Sequence, residues 1–209
     1  MGVIGNVPYR IETERLVLRC YDPADAPLLK DAVDRSREHL WPWMDWTPAE
    51  PEPIAYVVQR LREFRAQFDR DENWIYGVFA PDESRILGGT GLHPRGGGRS
   101  LEIGYWIASD STRQGYATEL TAVLTRIGFE LVGLDRVDIQ IDAENEASLG
   151  IPQKLGFVHE GTFRRRLLRR EGEPAGDSTM WTMLREEYDA ASWPGAYPYR
   201  AFDVVGERV

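Results

Sequence analysis

Between Leu101 and Glu119 the sequence passes from an alternating run (Leu101-Glu102-Ile103-Gly104-Tyr105-Trp106-Ile107-Ala108) through a short polar loop and directly into a helix. That order places the amides of Arg113, Gln114, Gly115, Tyr116, Ala117 and Thr118 on a first helical turn, where N–H groups have no intrahelical acceptor. Free donors at the positive end of a helix dipole form an anion site, and the small Gly115 and Ala117 let a phosphate approach the backbone. The stretch lacks the Lys-Ser/Thr ending of a P-loop and the three glycines of a dinucleotide turn. Taken alone it is a weak signal.

A second chemical cluster is Trp41-Pro42-Trp43-Met44-Asp45-Trp46. Its indoles can stack a peptide or a nucleobase while Asp45 draws in a cation; the same residues serve equally well as a plug between two helices. His93, beside the glycines Gly96-Gly97-Gly98, fits either a cleft wall or a solvated turn. The basic block Arg164-Arg165-Arg166 with Arg169-Arg170 reads first as a charged strand edge that resists aggregation, with its charges divided between both faces. Contact with an acidic group is the second reading.

The elements that carry these residues are marked by turn residues. A strand is expected over Ile11–Cys20, then a helix opened by Asp22-Pro23 (an N-cap carboxylate and a first-turn proline) and running towards Arg37. Pro53 starts a second helix with Ile54, Val57, Val58, Leu61, Phe64 and Phe68 at three-to-four spacing. Strands at Trp74–Ala80, Arg85–Leu92 and Leu101–Ala108 form an antiparallel meander. A long helix follows from Gly115 to about Leu131, then a strand at Arg136–Asp142, a helix at Glu146–Leu155 closed by Gly156, and strands at Val158–Arg169 and Ser178–Leu184. The order β-α-α-β-β-β-α-β-α-β-β is a mixed α/β layer. One domain is expected over residues 1–188. Residues 189–209 form a tail that proline keeps irregular and whose aromatics pack on the domain or on a partner subunit.

With 42% hydrophobic residues the chain can bury a full core, and its net charge of -9 argues against nucleic-acid or anionic-membrane binding. An acidic enzyme suits a cationic substrate. Cys20 is the only cysteine and lies in an apolar run, as a small core residue does; His39, His93 and His159 are not paired at ligand spacing, so no metal site is expected. Met1–Tyr9 lacks a signal-peptide pattern and no apolar stretch reaches a membrane span, giving the expectation of a soluble, cytoplasmic protein.

As a set, Glu102-Ile-Gly-Tyr-Trp-Ile107, Arg113-Gln-Gly-Tyr-Ala-Thr-Glu-Leu120, Asn145-Glu-Ala-Ser148 and Lys154-Leu-Gly-Phe157 resemble the GNAT acetyltransferases, specifically their RimJ/RimL-type branch. The opening Thr13-Glu-Arg-Leu-Val-Leu-Arg19 and Glu160-Gly161 match as well, so the resemblance covers about residues 10–188. It implies a GNAT-like fold: a central, mostly antiparallel sheet with a splayed parallel pair. It also implies an acetyl-CoA site, with residues 113–118 on the pyrophosphate, Ile107 and Ala108 pairing with the pantetheine amides, and Asn145 on the pantetheine arm; Asn145 also suits a plain N-cap. The resemblance further points to a homodimer.

Two departures stand out. Thr112 occupies a position usually held by Gln or Arg, and Pro152 occupies that of a tyrosine which protonates the departing thiolate in many members. RimL-like members use a serine for that task, and Ser148 matches it; a first-turn residue bonded to backbone is the alternative. Their following glutamate corresponds here to Leu167, so that role does not carry over. Pro152 cannot donate to the Ser148 carbonyl, which predicts a local bend.

Glu102 is the candidate general base or amine anchor, equally readable as an exposed strand carboxylate paired with a basic neighbour. In this fold Trp41, Trp43 and Asp45 would wall the acceptor pocket, with His93 nearby. No residue looks like an acyl-carrying nucleophile, so acetyl would pass directly to a primary amine in a ternary complex. A backbone N–H near Ile107 would polarise the thioester. The resemblance favours the α-amine of a protein or peptide; a small-molecule amine (an antibiotic or an aminoacyl-nucleotide) is the alternative acceptor, and a non-catalytic acetyl-CoA sensor the alternative class.

Overall fold

The computed structural model describes residues 6–48, 50–168 and 172–209. The first strand region is a hairpin, not one strand: β1 (Arg10–Glu12) pairs antiparallel with β2 (Val17–Cys20). Thr13 causes the break. Its hydroxyl accepts from Arg15 N (3.2 Å) and Leu16 N (2.9 Å) while its own N–H reaches Leu16 O, closing a turn that the apolar–polar alternation conceals. After Asp22, which caps a short 3₁₀ turn over Pro23–Asp25, helix α1 spans Ala26–Leu40. Helix α2 spans Ile54–Asp69.

The meander forms as its turn residues predict, from β3 (Trp74–Phe79), β4 (Ile86–His93) and β5 (Ser100–Ile107). Helix α3 (Tyr116–Ile127) continues through a wider turn at Gly128–Val132 and stops at Gly133, where φ is +72°. Then come β6 (Arg136–Asp142), α4 (Glu146–Leu155), β7 (Val158–Leu167), β8 (Gly176–Leu184), the short α5 (Arg185–Ala190) and β9 (Arg200–Phe202).

Among the described residues the sheet runs β7-β8-β6-β5-β4-β3-β2-β1-β9, and β5–β6 is its parallel pair. One apolar cluster joins Leu29 and Val33 of α1 and Val57 and Leu61 of α2 to Tyr21 and Phe79. The other joins Leu120, Val123 and Leu124 of α3 and Ile151 and Leu155 of α4 to Leu101 and Ile103. Burial of this kind contributes roughly 25 cal/mol per Å² of apolar surface, so the two cores bind the helices to opposite faces of the sheet.

The tail departs from expectation. Past its last proline, β9 pairs antiparallel with β1, and the intervening aromatics pack on α3 and α4: Trp193 Nε1 donates to Leu155 O (2.8 Å) and Tyr199 OH to Glu130 (2.8 Å). On the edge strand β7 the arginine run does not alternate simply, because Arg165 has φ +51° beside a register shift and its N–H binds Asp177 (2.7 Å). Arg169 and Arg170 lie outside the described residues. No described helix is long and apolar enough to cross a membrane, and among the described residues no group of three His, Cys, Asp or Glu side chains is arranged to hold a metal ion.

Candidate functional site

Strands β5 and β6 are in register only over Ser100–Glu102 and Arg136–Asp138, although β5 continues to Ile107 and β6 to Asp142. Beyond Glu102 they part. Ser100–Ile103 are buried and Gly104–Ile107 are half-buried, so on its β6 side the outer half of β5 borders an open wedge, while its other side stays paired with β4. Strand backbone without a ladder partner is a ready template for an extended, amide-bearing ligand.

At the mouth of the wedge the chain turns into α3. Arg113 and Gly115 take positive φ (+61° and +81°), aiming successive N–H groups outwards. The first i→i−4 bond of the helix is Glu119 N to Gly115 O (3.0 Å) and no side chain caps it, so the amides of Tyr116, Ala117 and Thr118 have no intrahelical acceptor. Arg15, from the Thr13 turn, completes this cradle. Its guanidinium binds Glu119 (Nε to Oε2, 2.7 Å) and Gln114 O (2.9 Å), stands over the Tyr116 ring, and passes 3.6 Å from the point a Cβ on Gly115 would occupy. Thr13 Oγ1 donates to the other Glu119 oxygen at 2.6 Å. Helix dipole, outward amides and an arginine therefore converge on one candidate anion-binding rim. Arg15 and Glu119 escaped the sequence reading because they lie 104 residues apart.

Ile107 and Ala108 lie where expected, at the end of β5, with one correction. The Ala108 N–H is already spent on Leu87 O and its carbonyl accepts from Ser111 N (both 2.8 Å), so this amide cannot donate to a pantetheine arm.

Across the wedge, Asn145 caps α4 by accepting from Ser148 N (3.2 Å). The Ser148 carbonyl, left unserved by Pro152, instead accepts from Tyr105 OH of β5 at 3.4 Å. Burial raises the Tyr105 phenol well above its ordinary range, so it stays protonated as a donor. The unserved carbonyl was visible in the sequence; the tyrosine that finds it was not.

On the α1–α2 face of β5 stands Glu102, 7% exposed. Its neighbours across the strands are His93 of β4 and Asp138 of β6. Arg95, from the loop after β4, donates to Glu102 Oε1 at 2.6 Å. Burial, the larger influence, raises the Glu102 carboxyl above the usual carboxylate range, Asp138 adds to this, and Arg95 opposes it. Glu102 is thus a buried carboxylate, not an exposed one. Its basic neighbour is real.

His93 is not a solvated turn residue. Its ring lies over Gly91 and Gly104, with Nε2 2.7 and 3.1 Å from where their Cβ atoms would stand, and its Nδ1–H donates to Asn73 Oδ1 (2.6 Å). Burial first, then the charge of Arg95, lowers it to about 4, so it is neutral at pH 7.

The tryptophan turn reaches the same face through its last indole, which is not among the residues expected to wall the pocket: Trp46 meets Trp106 of β5 edge-on at 5.8 Å. Trp43 and Asp45 are exposed on that turn and Trp41 is half-buried at the end of α1. Cys20 is a core thiol pushed up to about 12, chiefly by burial.

Residues 15–158 match the model of the acetyltransferase (GNAT) domain. The chain belongs to the GNAT acetyltransferase family. It is 30% identical over 152 residues to a putative ribosomal N-acetyltransferase, YdaF, of Bacillus subtilis, covering 72% of this chain and 82% of that protein. It is 28% identical over 173 residues to the [ribosomal protein uS5]-alanine N-acetyltransferase of Escherichia coli, covering 80% and 88%. Its fold superimposes on Mycobacterium smegmatis RimJ, solved in complex with CoA-disulfide, with a TM-score of 0.78 at 23% identity, covering 87% of this chain and 90% of that one. GNAT acetyltransferases use acetyl-CoA. In this acetyltransferase the outward amides of α3 beside Arg15 suit its phosphates, and the β6-facing side of the outer half of β5 suits its amide-bearing arm.

Proposed function

We propose that this acetyltransferase modifies the N-terminal α-amine of a protein or peptide, in the cytoplasm, by direct transfer from acetyl-CoA. The observation that carries the reading is Glu102: a buried carboxylate on the acceptor side of β5, with His93 beside it and Trp46 and Trp106 further along the same face. An α-amine has a pKa of about 7.7–8.0 against about 10.4 for lysine, so baring its lone pair at neutral pH costs roughly 3.5 kcal/mol less. A single carboxylate held above its usual range is a sufficient base for that task. The likeness to a [ribosomal protein uS5]-alanine N-acetyltransferase and to a putative ribosomal N-acetyltransferase supports the same acceptor class.

When bound, acetyl-CoA supplies an activated acyl group. The amides at residues 113–118 and Arg15 would hold its phosphates, and a β5 amide near Ile107 would polarise its carbonyl. Glu102 takes the proton from the acceptor nitrogen. Tyr105 OH is spent on the Ser148 carbonyl, which leaves the Ser148 hydroxyl as the donor to the departing thiolate on the side of α4. The Trp43–Trp46 turn, with the exposed Asp45, would hold the residues that follow the acceptor amine.

The test is thiol release from acetyl-CoA with peptides whose α-amine is free, peptides blocked at that amine but carrying lysine, and aminoglycosides or aminoacyl-nucleotide analogues. Turnover confined to free α-amines, with the added acetyl located there by mass spectrometry, is the expected result. Turnover on the small molecules alone would refute the peptide assignment.

A further inference from the structure

Glu102 has a cation already in place. The Arg95 guanidinium that binds it at 2.6 Å belongs to a side chain 63% exposed, whereas the carboxylate side chain is 9% exposed. Arg95 therefore reaches inward from solvent to a buried acid. It sits on a loop anchored at its two ends, by Arg95 N to His93 O (2.9 Å) and by Asp135 N to Arg99 O (2.9 Å). Between the anchors Gly97 and Gly98 hold φ of +73° and +64°, with no atom within 4 Å of where a Cβ would stand. The loop has open space and glycine hinges.

We propose that the Arg95 guanidinium is a placeholder for the acceptor: it fills the cation seat on Glu102 in the free enzyme and yields it to the ammonium group of the incoming primary amine. This rests on the reading of Glu102 as the acceptor-side base.

Three physical arguments lead to it. A buried carboxylate stripped of its partner is strongly unfavourable, and exchanging one cation for another keeps Glu102 paired throughout. A guanidinium does not release its proton in proteins, so with Arg95 seated the carboxylate is paired but has nothing to deprotonate; an ammonium can give its proton up. Finally, the groups facing Glu102 are His93 from β4, Asp138 from β6 and Arg95 from the loop. His93 is neutral, Asp138 raises the proton affinity of Glu102, and Arg95 is the group that lowers it. Departure of Arg95 strengthens the base at the moment the acceptor arrives. The step is then a proton transfer: an N–H bond of the acceptor breaks, an O–H bond to Glu102 forms, and neutral amine and neutral acid replace the ion pair in the buried site.

The acceptor class follows. The seat accepts amines that are cationic in solution and can be deprotonated, and it binds guanidinium compounds without turning them over.

Arg95→Ala tests this through two pH profiles, because kcat/KM reports groups of the free enzyme and kcat those of the loaded complex. The acid limb of kcat/KM should move up by about 0.5–1 pH unit, while the acid limb of kcat stays where the wild type has it. Carboxyl ¹³C titration of Glu102 in the enzyme alone should show the same upward move, reversed by added guanidinium ion. If both kinetic limbs move together, Arg95 stays on Glu102 during turnover and the placeholder is refuted; no movement of either limb or of the titration refutes it equally. Glu102→Gln separates the two claims: an unaltered acid limb in that variant removes the base reading itself, whatever Arg95→Ala does.

Discussion

At the scale of single residues the α1–α2 face of β5 is governed by what burial does to charge. His93 shows it most plainly. Held at about 4 in the folded protein against an ordinary 6.5, it takes up a proton on unfolding at any pH between those values. The unfolded state then binds more protons than the folded one, so the stability contribution is complete above about pH 6.5 and is lost as the pH falls towards about 4. Urea unfolding at pH 7.5 and pH 5.0 should show the wild type losing more stability than His93→Gln, by something of order 1–3 kcal/mol; equal losses would show that the ring is solvated. The sequence made the candidate phosphate rim legible because helix start, small residues and free amides are consecutive. It placed Glu102 on a strand but could not choose its environment, since alternation says which residues share a face and not which face a helix covers. Arg95 is only seven residues away, yet its reach across the glycine loop follows from the fold of that loop.

At the scale of elements, β5 and α4 are joined by one hydrogen bond that a proline makes available. Tyr105 OH on Ser148 O stands in for the amide that Pro152 lacks. Tyr105→Phe should therefore cost about 0.5–1 kcal/mol in the wild-type background and less when Pro152→Ala restores an amide donor to the same carbonyl. Denaturant unfolding of both single variants and the double variant gives the coupling directly. Strictly additive costs would show that the phenol and the helix amide do not compete for that carbonyl. Most element boundaries could be read from turn residues; β6 and α4 begin and end where their sequence signals lie. Two of the misses share a cause. The Thr13 turn and β9 are both fixed by hydrogen bonds (a threonine hydroxyl in one case, a remote strand in the other) that leave no trace in hydrophobic periodicity.

At the scale of the whole molecule, the segment after α5 acts as a strap. It supplies β9 to the β1 edge, Arg200 to Glu12 (2.6 Å), the Tyr197 carbonyl to Arg126 (2.7 Å) and Trp193 to Leu155. Deleting residues 191–209 should lower Tm by roughly 5–15 °C and introduce concentration-dependent association through the uncovered edge. Scanning calorimetry with light scattering checks both; an unchanged Tm would reduce the strap to decoration. The pairing of β9 with β1 also bears on how the protein is made. Arg200 and Glu12 are 188 residues apart in sequence, and contacts that distant form late because the loop they close is entropically expensive. As translation proceeds, the meander and its helices can assemble while β1 still shows an open edge. The β1 edge is covered, and the edge passes to the three-residue β9, only when residues 200–202 have left the ribosome. A stalled or prematurely terminated product would thus carry a nearly complete acetyltransferase with one adhesive strand, a species for chaperones to hold and proteases to find.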